Sequence, residues 1–309
     1  MISFVFMDPR GEFEKGRGEG LTRDVYASFW KEVSDCYLTG EVERVPYVRH
    51  DLFHSELQVI GLNYVKGFLD AQYIPLVISK SFISFCLFGN TSDEDLIASF
   101  LNYISKDERE LLNSVLNDNV EDEGKFVQDE MLDFLEQFKC RTLLTKENVK
   151  GVIIELARQE LIQKPFIMVS CWSVYLGYLR EKDEFSSQEK LHVLYDRLVP
   201  TTKKVVKLLK SNPLSDAEKD AVSHFKRYIR GLDDRMLGKL LNFLTGSDII
   251  TVSHINVEFS KNMSSYARRP IAHTCGPCLE LPAVYNNFCE LREDFSNILN
   301  ANSWEMDIV

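Results

Sequence analysis

Two cysteines near the end of the chain have the spacing of a redox-active dithiol. The string Cys275-Gly276-Pro277-Cys278 follows closely on His273. A dithiol of this spacing works when one thiolate lies at the start of a helix, near the beginning of a βαβ unit. Only 31 residues follow Cys278, which leaves room for one helix and no completing sheet. The sequence context therefore disfavours a redox role, which stays open as a minor alternative.

The same region also suggests a metal site. Four side chains of the types that bind zinc are close in sequence, namely His273, Cys275, Cys278 and Cys289. Structural zinc sites usually join two short ligand pairs across a longer loop, and this region lacks a second Cys-x-x-Cys pair. Cys289 also falls within a predicted amphipathic helix. The spacing therefore disfavours a zinc site, which stays open as a less favoured alternative.

The composition places these residues in a globular protein. Of the 309 residues, 45% are hydrophobic and 11% aromatic, which is enough apolar material for a core. The net charge of −11 and a pI near 5.2 argue against the basic face that nucleic-acid binding needs. The apolar stretch at residues 166–179 is too short to span a membrane, and it is predicted to be buried all round in the core.

The cellular location is inferred from the N-terminus and the cysteine count. Residues 1–7 are apolar but lack the basic start of a secretory signal, and Asp8 follows at once. The seven cysteines are an odd number, and a chain of this length needs no disulfides for stability. We expect a soluble, reduced, intracellular protein that binds neither membranes nor nucleic acids.

Apolar periodicity predicts a mostly helical chain with a compact α/β region at its C-terminal end. Alternation of apolar residues predicts short strands at residues 2–6 and 255–259. A first helix is predicted from about Thr22, with Val25, Phe29, Val33 and Cys36 facing inward. A second is predicted over residues 56–70, where Gly61 and Gly67 indicate close packing against a neighbour.

Local signals divide the chain near residues 211–213. Pro213 excludes helical geometry from the residue before it, although both flanks are helical, so we predict a hinge there. Ser215 with Glu218 is a predicted capping box. Asp233 is predicted to cap the next helix and Gly246 to end it.

The acidic residues are concentrated in one segment. Residues 91–138 contain 14 acidic and three basic side chains, which accounts for the whole net charge of −11. This segment resembles an inserted subdomain with its own surface. Solvated helix faces are the simplest explanation, and a docking face for a basic partner is compatible with it.

Several motifs resemble the catalytic domain of HECT-type ubiquitin ligases. His273-Thr274-Cys275 followed by Leu279-Glu280-Leu281-Pro282 is similar to the catalytic-cysteine signature of that family, although Gly276-Pro277 replaces its usual Phe-Asn. Thr245-Gly246-Ser247 resembles the family's upstream turn. Looser matches in the same order are Gly20-Leu21-Thr22-Arg23-Asp24, Thr145-Lys146-Glu147-Asn148 and Leu198-Val199-Pro200.

The resemblance implies an α+β fold of two lobes. A larger, mostly helical N-lobe would cover residues 1–210, a hinge residues 211–213, and a small α/β C-lobe residues 214–309. Residues 91–150 occupy the position of the subdomain that binds the ubiquitin-conjugating enzyme in this family. The lobes would move about the hinge so that one thiol can meet both the donor and the acceptor.

The resemblance also implies two acyl transfers. Ubiquitin would pass from a conjugating enzyme to Cys275 as a glycyl thioester, and then to a substrate lysine. His273 and Thr274 would support the thiol. Neither a metal nor an organic cofactor would be required, because the transfer between cysteines uses only thiols. The attacking lysine must be neutral, and the candidates for assisting its deprotonation are Glu280, Glu305 and Asp307. Trp304 would dock the C-terminal tail near the thiol. The main alternative is a non-catalytic relative that keeps the fold as a binding scaffold.

Overall fold

The computed structural model describes residues 18–116, 129–260 and 269–300, and these residues form an α+β protein. The helices are α1 (Glu19–Tyr37), α2 (His54–Ala71), α3 (Lys80–Phe88), α4 (Asp93–Tyr103), α5 (Lys106–Leu116), α6 (Asp129–Gln137), α7 (Val149–Arg158), α8 (Phe166–Leu176), α9 (Gln188–Leu198), α10 (Thr202–Leu208), α11 (Asp216–Arg230), α12 (Asp234–Thr245) and α13 (Phe288–Asn300). The strands are β1 (Leu38–Gly40), β2 (Arg44–Pro46), β3 (Leu209–Ser211), β4 (Ile255–Ser260), β5 (Ile271–His273) and β6 (Cys278–Pro282).

Two predicted features involve residues that the structure does not describe. The opening strand at residues 2–6 and the tail that contains Trp304 lie outside the described residues. Within the described ranges, none of the helices is both long and apolar enough to cross a membrane.

The chain divides into two compact units. The first comprises Met1–Phe29, Lys66–Ile74 and Tyr195–Val309 as far as they are described, and the second comprises Trp30–Val65 and Pro75–Leu194. Each unit is therefore assembled from segments that are far apart in the sequence.

The first unit contains a four-stranded mixed sheet in the order β3-β4-β6-β5. β4 is parallel to both β3 and β6, whereas β5 and β6 form an antiparallel hairpin at one edge. The predicted strand at residues 255–259 is confirmed as β4, in which buried Ile255 and Val257 alternate with exposed Asn256 and Glu258. The hairpin at the sheet edge carries Cys275.

Helices α11, α12 and α13 share one apolar core with this sheet. Their ends are fixed by local signals that the sequence predicts correctly. The Ser215–Glu218 capping box is confirmed at the start of α11, and Asp233 accepts a hydrogen bond from the backbone N–H of Met236 at the start of α12. Gly246 ends α12 with a φ of 76°, in the left-handed region that glycine tolerates best.

The predicted hinge at residues 211–213 lies inside the first unit. Ser211 is the last residue of β3 and pairs with Val257 of β4. Val205 of α10, on the N-terminal side of the predicted hinge, is buried in the core that contains α11 to α13. In this part of the chain, the boundary between the two units lies between Leu194 and Tyr195. Movement about residues 211–213 stays a prediction. A proline substituted for Ser211 to stiffen this segment would also disturb the pairing of β3 with β4.

The second unit is built around aromatic side chains. The rings of Trp30 and Phe82 both meet Trp172 edge to face, with centroids 6.0 and 5.4 Å away. A Cβ at Gly61 would lie 2.8 Å from the Trp172 ring, so the predicted close packing at this glycine is confirmed. Gly61 is therefore required for α2 to approach the ring.

The prediction that residues 166–179 are buried on all sides is wrong. In α8, Met168, Cys171 and Trp172 are buried, but Phe166 is 55% exposed and Val174 is 59% exposed. A uniformly apolar helix carries no sequence signal for which face is covered, because burial depends on which elements pack against it.

The inward face of α1 also differs from the prediction. Val33 is buried as expected, but Val25, Phe29 and Cys36 are only partly buried. The other buried positions of this helix are Leu21, Arg23, Tyr26, Ala27 and Trp30. This face follows the same helical spacing, shifted along the sequence, and it includes a charged residue that a search for apolar stripes passes over.

Candidate functional site

Cys275 lies at the tip of the β5–β6 hairpin. His273 ends β5 and pairs with Cys278 at the start of β6, so residues 274–277 form the connecting turn. Leu279 and Leu281 of β6 are fully buried and anchor the hairpin in the core. Cys275 is exposed. The arrangement presents one thiol to solvent on a turn whose base is fixed.

The two cysteines of the Cys-x-x-Cys string have different environments. Cys278 is part of β6, with Asn256 of β4 opposite it on one side and His273 on the other. Burial raises the pKa of the Cys278 thiol, and the carboxylates of Glu258 and Glu280 raise it further. Cys278 is thus held in its protonated, weakly nucleophilic form. Both residues are thiols in the structure.

His273 is held by a carboxylate across the hairpin. Its Nε2 lies 2.8 Å from Oε1 of Glu280, and the two residues occupy diagonal positions on the antiparallel strands. This contact brings together two residues that the sequence analysis proposed for separate roles. Because Nε2 is engaged by Glu280, the pair can fix the strands on either side of the turn. Glu305 and Asp307 lie outside the described residues.

The predicted zinc ligands are distributed over different elements. Cys289 lies in the first turn of α13, as expected, and His273 and Cys278 lie on the hairpin strands. Across the described ranges, three or more His, Cys, Asp or Glu side chains are nowhere grouped so that they could hold a metal ion.

The Cys275 turn lies against the first turn of α1. A Cβ built on Gly20 would be 2.5 Å from the carbonyl carbon of Thr274, which no real contact permits. A Cβ on Gly18, whose φ is +155°, would be 2.7 Å from Sγ of Cys275. Glycine is therefore required at both positions, since its lack of a side chain allows this close approach.

Arg23 connects the Cys275 turn to the end of α12. Its Nη2 donates to the carbonyl oxygen of Thr274 at 2.7 Å, and its Nε donates to that of Thr245 at 2.8 Å. The sequence analysis contains Arg23 only as part of the Gly20–Asp24 match. The signal that could have singled it out is a lone arginine on an otherwise apolar helix face.

The Thr245–Ser247 turn completes this region. Oγ1 of Thr245 donates to the carbonyl of Leu241, and Oγ of Ser247 donates to that of Ile249, so both hydroxyls hold backbone at the end of α12. A Cβ on Gly246 would collide with the carbonyl oxygen of Gly20. The start of α1 therefore contacts both motifs, at residues 245–247 and 273–275, which are at least 26 residues apart in the sequence.

A second candidate surface lies in the acidic segment. Helix α6 buries Met131, Phe134 and Leu135, and exposes Asp133 and Glu136 on its opposite side. A groove of ≈ 530 Å³ next to it is lined by Leu132, Leu135, Glu136, Lys139, Cys140, Arg141, Thr142 and Leu143.

The acidic segment shares the core of the second unit. Phe100 of α4 is fully buried and its ring meets those of Phe134 and Phe138, with centroids 6.5 and 5.5 Å away. Helix α4 also packs against α3 and α7. Removing residues 91–138 would remove these rings and uncover the faces of α3 and α7 that pack against α4. Substitutions at exposed carboxylates therefore test the surface more cleanly than a deletion.

Comparison with known proteins gives no assignment. A scan against protein-family models finds no match, and no curated protein matches the chain at a significant level.

Proposed function

We propose that this protein is a HECT-type ubiquitin ligase that carries ubiquitin on Cys275. The observation that supports the proposal best is the exposed Cys275 thiol at the tip of a hairpin whose flanking residues spell the motif resembling that family's signature. A thiol that must meet two different partners has to be accessible, and a turn between anchored strands provides this.

The proposed reaction consists of two thioester steps. The Cys275 thiolate attacks the thioester carbonyl at the C-terminus of ubiquitin, forms a new thioester, and releases the conjugating enzyme's cysteine as a thiolate. A neutral substrate lysine then attacks this carbonyl, forms an isopeptide bond, releases the Cys275 thiolate and gives its proton to a base or to water. No cofactor takes part, because the acyl group arrives already activated.

The neighbouring residues support this chemistry by fixing the turn. The His273–Glu280 contact holds the strands on both sides of Cys275, which favours a loop-ordering role for His273. Thr274 contributes its backbone carbonyl to Arg23. The role proposed for Thr274 is therefore to accept this hydrogen bond through its carbonyl oxygen, and its side-chain hydroxyl takes no part in the contact.

The proposal includes the arrangement and location that the resemblance implies. An N-lobe over residues 1–210 would receive the conjugating enzyme, and a C-lobe over residues 214–309 would carry the thiol. Ubiquitin, a conjugating enzyme and a protein substrate would be the partners, in the cytoplasm or nucleus.

A charging assay tests the proposed function directly. The full chain is incubated with activating enzyme, a panel of conjugating enzymes, ATP and ubiquitin, and the products are separated on a non-reducing gel. We expect a band one ubiquitin heavier that disappears on treatment with reductant. If ubiquitin binds but no conjugating enzyme in the panel gives this band, the non-catalytic scaffold is the better assignment.

The groove beside α6 is the proposed docking surface for the conjugating enzyme. Leu132 and Leu143 expose apolar surface at the groove, 39% and 63% respectively, and the carboxylates of Asp133 and Glu136 lie nearby on α6. Lys139 and Arg141 also line the groove, so its rim carries charges of both signs, and the acidic groups of α6 form the side that suits a basic part of the partner.

Reversing two of these charges should slow ubiquitin loading. We expect the Asp133→Lys, Glu136→Lys variant to load about 10-fold more slowly at low salt, because steering of a basic partner is lost. The difference should fall below about 3-fold at 0.5 M salt, where exposed charges are screened. Loading rates measured across a salt series check this.

A matched control separates this local effect from the change in net charge. Asp196 and Asp220 are also exposed carboxylates on helices, and they lie outside the acidic segment. The Asp196→Lys, Asp220→Lys variant should load within about 2-fold of the wild type, because it makes the same change in net charge on helices outside the acidic segment. Equal slowing in both variants would assign the effect to overall charge and remove the groove as the docking surface.

A further inference from the structure

The buried guanidinium of Arg23 contacts the turn that carries Cys275. Arg23 is 4% exposed, yet it carries a full positive charge. Its ion-pair partner is Glu19, at 3.5 Å, and the Glu19 side chain is 85% exposed. An exposed carboxylate at this distance stabilises a buried charge only weakly. The main compensation comes from the carbonyl oxygens of Thr245 and Thr274.

Arg23 also interacts electrostatically with Cys275. Burial lowers the pKa of Arg23, and Glu19 and the ionised Cys275 thiol oppose that lowering. The contacts of the guanidinium are with the two carbonyls and the carboxylate. A buried charge of this kind has a well-defined position because its donors are satisfied only in one geometry.

The two carbonyls belong to different parts of the first unit. Thr245 ends α12, and Thr274 is the residue immediately before Cys275. The rigid fork of an arginine can donate to two such acceptors at once, from nitrogens that are fixed relative to each other. The guanidinium therefore sets the position of the peptide that precedes Cys275 relative to the end of α12.

We propose that Arg23 is a positioning residue for Cys275, which holds the thiol-bearing turn against the first turn of α1 by fixing the Thr274 carbonyl. The close approach at Gly18 and Gly20 supports this, since it leaves the turn no room to shift towards α1. The contribution to catalysis rests on the proposed function of Cys275, whereas the positioning itself does not.

Amide hydrogen exchange in the full chain tests the positioning. In Arg23→Gln, exchange of the amides of residues 274–276 should become about 10-fold faster or more, because a charged hydrogen bond to Thr274 is lost. Exchange in β4, over residues 255–260, should stay within about 2-fold. Arg23→Lys keeps the charge but lacks the fork, so it should show the same local acceleration. Arg235 is an exposed arginine on α12, and Arg235→Gln is the control that should change neither region.

The kinetics of ubiquitin loading test the consequence for the reaction. We expect Arg23→Gln and Arg23→Lys to lower kcat for loading of Cys275 about 10-fold. The KM for the charged conjugating enzyme should be unchanged, because Arg23 is buried and lies outside the docking surface. A variant that was simply less stable would lose kcat only in proportion to its unfolded fraction, which thermal unfolding measures.

A second variant keeps the proposal testable if Arg23 variants do not fold. Gly20→Ala retains the guanidinium but pushes a methyl group against the Thr274 carbonyl carbon, and should produce the same local exchange signature. The proposal is overturned if folded Arg23 variants leave exchange at residues 274–276 unchanged, or accelerate exchange equally throughout the first unit. If the wild type never loads ubiquitin, the proposed function fails, while the exchange result still decides the positioning.

Discussion

Cys275→Ala should abolish the reductant-sensitive ubiquitin adduct, which is the largest effect expected of any single substitution. Alanine keeps the size of the turn and removes the nucleophile, and Cys275 is exposed, so stability should change by less than about 0.5 kcal/mol. Cys275→Ser should form an oxyester that survives reductant, and this adduct would report the same acceptor position. The measurement is the non-reducing gel, read with and without reductant.

Two other cysteines provide the controls for this result. Burial and the carboxylates of Glu258 and Glu280 raise the pKa of Cys278 and keep it protonated, and Cys289 lies on a different element, α13. Cys278→Ala and Cys289→Ala should therefore retain the adduct at near wild-type level. Loss of the adduct in Cys278→Ala, with retention in Cys275→Ala, would reject the acceptor assignment and restore the interpretations based on the Cys-x-x-Cys pair.

Gly246→Ala should destabilise the protein by about 2–5 kcal/mol. A non-glycine residue in the left-handed region, where Gly246 has a φ of 76°, costs about 1–2 kcal/mol. The added methyl group would also collide with the carbonyl oxygen of Gly20, and overpacking of this kind adds about 1–3 kcal/mol. Urea unfolding of the purified variant measures the sum.

Two other glycines separate these contributions. Gly89 also ends a helix in the left-handed region, with a φ of 74°, but a Cβ there would meet no heavy atom of the described residues within 4 Å. Gly89→Ala should therefore cost only the backbone contribution, about 1–2 kcal/mol. Gly238 lies within α12, where a Cβ would make an ordinary contact at 3.6 Å, so Gly238→Ala should stabilise by up to about 1 kcal/mol. If Gly246→Ala lowers the free energy of unfolding by no more than Gly89→Ala does, the collision with the Gly20 carbonyl oxygen makes no contribution to the destabilisation.

Much of the secondary structure near the site could be predicted from the sequence because its signals are local. The capping box of α11 joins residues three apart, and the alternation in β4 repeats every two residues. Such patterns depend on neighbours along the chain, which the sequence displays directly. The same reasoning failed for α8, because every face of that helix is apolar and only its packing partners decide which face is covered.

The candidate site likewise contains residues that the sequence identifies and contacts that only the tertiary structure reveals. The sequence by itself singled out Cys275, His273 and Glu280, since they lie within eight residues of one another and carry the relevant chemistry. Their hairpin pairing brings His273 and Glu280 into contact across the strands. The role of Arg23 depends on carbonyl groups 222 and 251 residues away along the chain. No periodicity or motif connects residues at such separations, because a backbone carbonyl is present at every position. Only the tertiary structure, which packs the start of α1 against two distant turns, decides which carbonyls the guanidinium meets.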